Sequence, residues 1–285
     1  MVEAGETEGV MDIEASVARY YTQGHLEGAI LDALRASGKD IDALGTADLS
    51  AADEFHLGWR AVTVELALDL ELNPGIELLD IGSGIGGPAR YFAETFGCKV
   101  FGVDLTEEFV QVATALTARC RLEALATFVQ GSGLALPFPD ERFDRATLIH
   151  VGMNIADKAR LFAEARRVLR PGGVFLVYDV MRLDASELPY PMPWAEHPGN
   201  SFVETSLSYQ RLLQAAGFQI ERELDRRAQT LELGRAMRAQ VARHGVPPLG
   251  LHVLMGPASR ERLGNVMTAL DRGSVAPIQL MARRT

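Results

Sequence analysis

The stretch Glu77-Leu78-Leu79-Asp80-Ile81-Gly82-Ser83-Gly84-Ile85-Gly86-Gly87 restricts the fold more than any other part of this sequence. Its short apolar run closes on an acid and breaks into glycines, and Pro88-Ala89-Arg90-Tyr91-Phe92 then reads as the first turns of a helix. The order is a buried strand, a tight turn and a helix start. Glycine lets backbone lie against a flat polar ligand and reaches positive φ without a Cβ penalty, so the turn is of the nucleotide-binding kind. A second apolar run, Cys98-Lys99-Val100-Phe101-Gly102-Val103, ends in Asp104. An acid ending the second strand of such a unit can accept hydrogen bonds from both hydroxyls of a ribose.

Short apolar runs continue at Thr127–Gln130, Arg145–Ile149 and Val174–Val180, alternating with helical segments, with Arg170-Pro171-Gly172-Gly173 as the turn before the fifth strand. That alternation predicts a doubly wound, seven-stranded, mostly parallel α/β sheet. Residues 13–72 read as an N-terminal helical cap, in which Val17, Tyr20, Tyr21, Leu26, Ala29, Ile30 and Leu34 recur at helical spacing and Ala61–Leu70 forms a further helix. The sheet domain then spans 73–285. Within it, 184–204 is a proline-rich segment too long for a mere connection and is expected to be an acceptor-site loop. A helix at Ser206–Ala216, a strand at Phe218–Glu223, a late helical segment over 226–272 and a last strand at Ile278–Ala282 follow. Residues 1–12 are acidic and contain glycine, and are expected to be a disordered tail.

A chain of 285 residues with 47% hydrophobic residues can bury a full core, and its net charge of −10 argues against a surface that tracks nucleic-acid phosphates. The pairs Arg166-Arg167, Arg226-Arg227 and Arg283-Arg284 are too short to change that. No run is long and apolar enough to span a bilayer, and no secretion signal opens the chain. Cys98 and Cys120 have no metal-ligand spacing. The expectation is a cytoplasmic protein with a small-molecule partner, no membrane or nucleic-acid partner and no metal; a homo-oligomer is left open.

Gly82, Gly84 and Gly87 also satisfy the dinucleotide spacing G-x-G-x-x-G, which keeps an NAD-dependent oxidoreductase open. Asp80 weighs against it, because a carboxylate before the first glycine pairs an ammonium group and repels a pyrophosphate. A later segment, Gly131-Ser132-Gly133-Leu134-Ala135-Leu136-Pro137-Phe138 followed by Phe143-Asp144, weighs further. Together with the two strand ends, these residues resemble the class I S-adenosylmethionine-dependent methyltransferases, over roughly residues 76–180. The resemblance implies S-adenosyl-L-methionine as cofactor and transfer of its methyl group, by direct displacement, to nitrogen or oxygen of a small molecule. It places Gly82, Ser83, Gly84 and Gly86 around the methionyl part, Asp80 at the ammonium, Asp104 at the ribose, and Leu105, Gly133 and Leu134 against the adenine. Ser132 departs from the pattern, standing where most members carry an aspartate that binds the adenine amino group.

Tyr20-Tyr21, Asp53-Glu54-Phe55-His56-Leu57-Gly58 and Ser201-Phe202 resemble the subgroup containing the glycine, sarcosine and dimethylglycine N-methyltransferases. This implies that Tyr20, His56 and Gly58 approach the methionine moiety from the cap. His150 follows the fourth strand and is the one catalytic candidate, as a base that removes a proton from the acceptor or as a residue that shapes the pocket or the cofactor site. Tyr21, Asn154, Asp179, Trp194, His197 and His252 are the candidates to line the acceptor site. A non-catalytic nucleotide-binding module that serves oligomerisation is the remaining alternative.

Overall fold

The computed structural model describes residues 13–285, so the expected tail at 1–12 lies outside the described residues. Its centre is a seven-stranded sheet in the order β3-β2-β1-β4-β5-β7-β6. Strands β1 (Glu77–Ile81), β2 (Lys99–Asp104), β3 (Ala126–Gln130), β4 (Phe143–Ile149) and β5 (Leu169–Arg182) are mutually parallel where they pair. The last strand, β7 (Val275–Arg284), inserts antiparallel between β5 and β6 (Phe218–Asp225).

Side chains on a strand alternate faces, and β5 shows what that does to the core. Phe175, Val177 and Met181 pack with Leu161, Phe162 and Ala165 of α7 (Lys158–Val168) and with Tyr209 and Leu213 of α8 (Ser206–Ala215). Val174, Leu176 and Tyr178 face the other way, onto Val62 and Leu66 of α4 (Trp59–Asp69) and Phe92 and Ala93 of α5 (Gly87–Phe96). A strand covered on both faces reads as a near-continuous apolar run, and Val174 to Met181 is one with Asp179 as its single polar residue.

The cap contains a helix over residues 13–21 (α1), α2 (Leu26–Ala36) and α3 (Thr46–Asp53). Ile30 and Leu34 of α2 and Leu49 of α3 share a core with Phe109 and Leu116 of α6 (Glu107–Arg119) and with Leu254 of α10 (Leu251–Met255). The loop after β5 packs Leu188, Met192 and Trp194 against Val266 and Leu270 of α11 (Ser259–Arg272). The long helix α9 (Arg227–His244) lies between β6 and these late helices in sequence.

Several element ends differ from the sequence reading by one to three residues, and two differences bear on the sheet. The segment 170–173 is continuous with β5, and the pairing shifts register between Phe143↔Leu169 and Arg145↔Val174, so the predicted turn is a bulge within the strand. The last strand begins at Val275, ahead of the expected Ile278, because Pro277 sits where it needs no donor: Pro277 pairs with β5, while β6 pairing starts only at Ile278.

Candidate active site

One cavity lies beyond the carboxyl ends of β1, β2 and β4, where the strand order reverses and open α/β sheets bind ligands. Asp80, Gly82, Ser83 and Gly84 line it from the β1 loop, Asp104 and Leu105 from β2, Gly133 and Leu134 from the β3 loop, and His150 and Asn154 from the β4 end. His56 and Tyr21 reach it from the cap, and Trp194 from the loop after β5.

The acids are set up differently. Asp104 Oδ2 accepts from Gly84 N at 2.8 Å and Oδ1 from Thr106 N at 2.9 Å. The side chain therefore holds the glycine loop in place, and each oxygen keeps lone-pair capacity for a further donor. Burial pushes its carboxyl up, against those backbone donors. Asp80 is 2% exposed and receives one hydrogen bond, from Thr147 Oγ1 at 2.7 Å. Burial pushes it up to about 7, with Thr147 pulling the other way.

An Asp80 raised above its unfolded value of 3.8 stabilises the fold in its protonated form; that contribution is full at acid pH and is lost as pH rises through about 7. An ammonium beside it needs the carboxylate. Affinity for S-adenosylhomocysteine is therefore expected to rise roughly tenfold from pH 6 to pH 8, with proton release below pH 7. Titration calorimetry in buffers of different ionisation enthalpy measures both, and Asp80→Asn should flatten the slope.

His150 sits at φ 54 just past β4, its backbone N held by Tyr178 O at 2.7 Å. Its Nε2 is buried with no hydrogen-bond partner among the described residues. Burial, helped by His56 with ring centroids 5.9 Å apart, holds its pKa well below 6.5, so the ring is neutral at neutral pH. His56 itself is committed: its Nε2 lies 2.9 Å from both Glu54 Oε2 and Thr63 Oγ1. Next to that cluster, the fully buried Asp53 and Arg90 pair at 2.8 Å and tie the cap to α5. Asn154 joins the cavity's two covers, accepting from Tyr21 Oη at 3.2 Å and donating to Trp194 O at 2.8 Å.

Several sequence candidates lie elsewhere. Gly86 (φ 84) and Gly58 (φ 90) are left-handed N-caps of α5 and α4, and a Cβ on either would strike its own neighbours, Phe128 and Arg90 for Gly86 and Val62 for Gly58. Tyr20 donates to Met192 O at 2.9 Å under the Arg262 guanidinium, outside the cavity lining. Ser132 is bonded to Glu14 of α1 and to Leu134 N, so its hydroxyl is engaged, and it too is absent from the lining. The Ser83 hydroxyl faces Gly102, where an added Cβ would come within 2.6 Å of it. Asp179 is buried in the sheet, accepting from Tyr209 Oη and Val180 N. His197 is exposed, and His252 bonds to Pro248 O away from the lining.

The apolar segment 250–256 does supply lining, through Leu251 and Leu254, whereas sequence reasoning missed Phe109, Leu263 and Val266, which line the cavity from α6 and α11. The only signal for them was an apolar stripe on helices whose docking face the sequence leaves unspecified. Among the described residues no cluster of His, Cys, Asp or Glu is arranged to hold a metal ion, and no helix is long and apolar enough to cross a membrane.

A sheet of this order, with a glycine loop after β1 and an acid closing β2, has the fold of the class I methyltransferases. The family model described as a methyltransferase domain matches residues 79–177. The chain is 36% identical over 119 residues to a sterol 24-C-methyltransferase of Gibberella zeae, covering 42% of this chain and 31% of that one. It is likewise 36% identical over 118 residues to the 2-methyl-6-phytyl-1,4-hydroquinone methyltransferase of Synechocystis, covering 41% and 36%. The matched region thus spans about a third of each relative's length. A solved geranyl diphosphate methyltransferase in complex with GPP and sinefungin superposes with a TM-score of 0.68 at 19% identity, covering 96% of this chain and 100% of that one. At that identity the likeness is one of fold.

Proposed function

We propose that the protein transfers a methyl group from S-adenosylmethionine to a small molecule. The observation that carries this reading is a single cavity with two unlike halves. One is built of strand-end acids and bare glycine backbone, the other of aromatic and aliphatic side chains from α10, α11 and the loop after β5. Bound there, the cofactor supplies an electrophilic methyl on a sulfonium, open to direct displacement. In this reading Asp80 pairs the ammonium, Asp104 accepts from ribose hydroxyls, and Leu105, Gly133 and Leu134 flank the base, all five being residues of the cavity lining.

The protein's own contribution is alignment and dryness. Holding nucleophile and electrophile in line in a water-poor pocket supplies much of the rate of such a transfer. The receiving atom is nitrogen or oxygen in the sequence reading, and the name of the sterol relative adds carbon. A thermal-shift comparison tests the donor: S-adenosylhomocysteine at a hundred times its dissociation constant should add about 2.7 kcal/mol of stability, and NAD nothing. A shift with NAD alone would replace this reading with the oxidoreductase one.

His150 is read as a positioning residue. A base works best with a pKa near the working pH, and burial has taken this one far below it. His150→Asn, which tolerates the positive φ, is expected to raise the Michaelis constant of the acceptor while turnover falls less than about 100-fold. A larger fall at saturating substrates, with a limb lost from the pH–rate profile, would make His150 the base.

A further inference from the structure

The charges that line the cavity are of one sign. The ionised or ionisable carboxyls that line it are Glu14, Asp53, Asp80, Asp104 and Asp157. No lysine or arginine lines it among the described residues. The basic groups closest to the lining are engaged, Arg160 by Leu134 O at 2.9 Å and by Glu164 at 4.0 Å. Arg90 pairs with Asp53, and Arg60 pairs with Glu54 over the Tyr91 ring. Arg262 pairs with Glu196 and stacks on Tyr20. Lys158 Nζ donates to the carbonyls of Ile155 and Phe202.

The wall opposite the glycine loop is apolar. Met153, Trp194, Leu251, Leu254, Leu263 and Val266 form it, and its nearest polar atoms belong to His150 and to Asn154, whose amide is already bonded on both sides. An anionic acceptor seated there would lose its hydration with no ammonium or guanidinium side chain to pair it, only the neutral His150 and Asn154 at the wall and the donor's own sulfonium as counter-charge. A cationic acceptor would share the cavity with the positively charged sulfonium.

Resting on the methyl-transfer reading, we infer that this cavity takes an uncharged, largely apolar acceptor and rejects carboxylates and phosphate esters. The glycine-type amino acids suggested by the cap motif would bring an unpaired carboxylate and are excluded with them. The class is that of neutral lipid-like molecules carrying at most one or two neutral polar groups, one of which is brought to His150.

Both tryptophans of the chain, Trp59 and Trp194, line the cavity, so their fluorescence reports occupancy. With S-adenosylhomocysteine bound, as verified by calorimetry, and in parallel with sinefungin, whose ammonium restores the charge the thioether lacks, the full-length protein is titrated with farnesol, farnesyl phosphate and farnesylamine, which share one apolar frame. Farnesol is expected to bind at least tenfold more tightly than farnesyl phosphate in both complexes and than farnesylamine in the sinefungin complex, with the signal reduced in Trp194→Phe. Leu263→Arg is expected to narrow the gap to farnesyl phosphate by at least tenfold. Equal or tighter binding of the phosphate in either complex, or of the amine in the sinefungin complex, by the natural protein would overturn the inference. So would binding of S-adenosylhomocysteine without binding of farnesol, and in that case the donor assignment would stand. Failure to bind S-adenosylhomocysteine would remove the donor assignment itself.

Discussion

Asp104→Ala is expected to weaken binding of S-adenosylhomocysteine by more than tenfold, the equivalent of at least about 1.4 kcal/mol. Two losses add. Two ribose hydroxyls would lose a charged acceptor, and hydrogen bonds to charged groups contribute roughly 1.5–3 kcal/mol each. The same carboxylate also accepts from Gly84 N and Thr106 N, so its removal leaves two loop donors without their partner and the glycine turn without its brace. Asp104→Asn keeps the volume and one acceptor oxygen and should lie between the two. Calorimetric titration measures all three proteins; unchanged affinity in a folded Asp104→Ala variant would remove the ribose role and leave the loop brace as the residue's only function.

The strands β1 to β4 and the loops at their ends were readable because each is a local signal: an apolar run, then an acid or glycines, at a spacing the chain itself dictates. Asp80, Asp104 and Gly84 therefore fall on the cavity where sequence logic puts them. The last strand was less readable. Nothing in Ile278–Ala282 says that it enters between β5 and β6 and runs antiparallel to both, since that depends on which sheet edge remains open after β5. The cap misled in a different way. Tyr20 and Tyr21 are adjacent on one helix, but consecutive residues of a helix point about 100° apart. Tyr21 reaches the cavity and Tyr20 turns to the loop carbonyl of Met192. Asp179 misled because a strand-end acid is equally a ligand or a buried partner, and here the Tyr209 hydroxyl from α8 claims it. The apolar wall on α11 was hidden for a third reason: Leu263 and Val266 look like any core-facing pair, and only docking shows that the facing space is a cavity.

Gly84→Val is expected to abolish cofactor binding while the chain still folds, and the glycine loop itself supplies the controls. A Cβ built on Gly84 meets nothing within 4 Å among the described residues, so a branched side chain there would project into open cavity. Its neighbours differ. A Cβ on Gly82 would lie 2.3 Å from Val151, and one on Gly87 would lie 2.0 Å from the backbone oxygen of Asp53. Those glycines are needed for packing, and alanine at Gly87 should cost stability before it costs binding. At Gly84 the cost to the fold is the φ of 54°, unfavourable for an L-residue by about 1–2 kcal/mol. That amounts to a few degrees in the melting temperature of a domain this size, at roughly 2–4 °C per kcal/mol. Equilibrium dialysis and a melting curve on the same sample separate the two effects. A folded Gly84→Val protein that binds S-adenosylhomocysteine normally would mean that the space beside Gly84 is not the cofactor's, and that the residue is there for the turn alone.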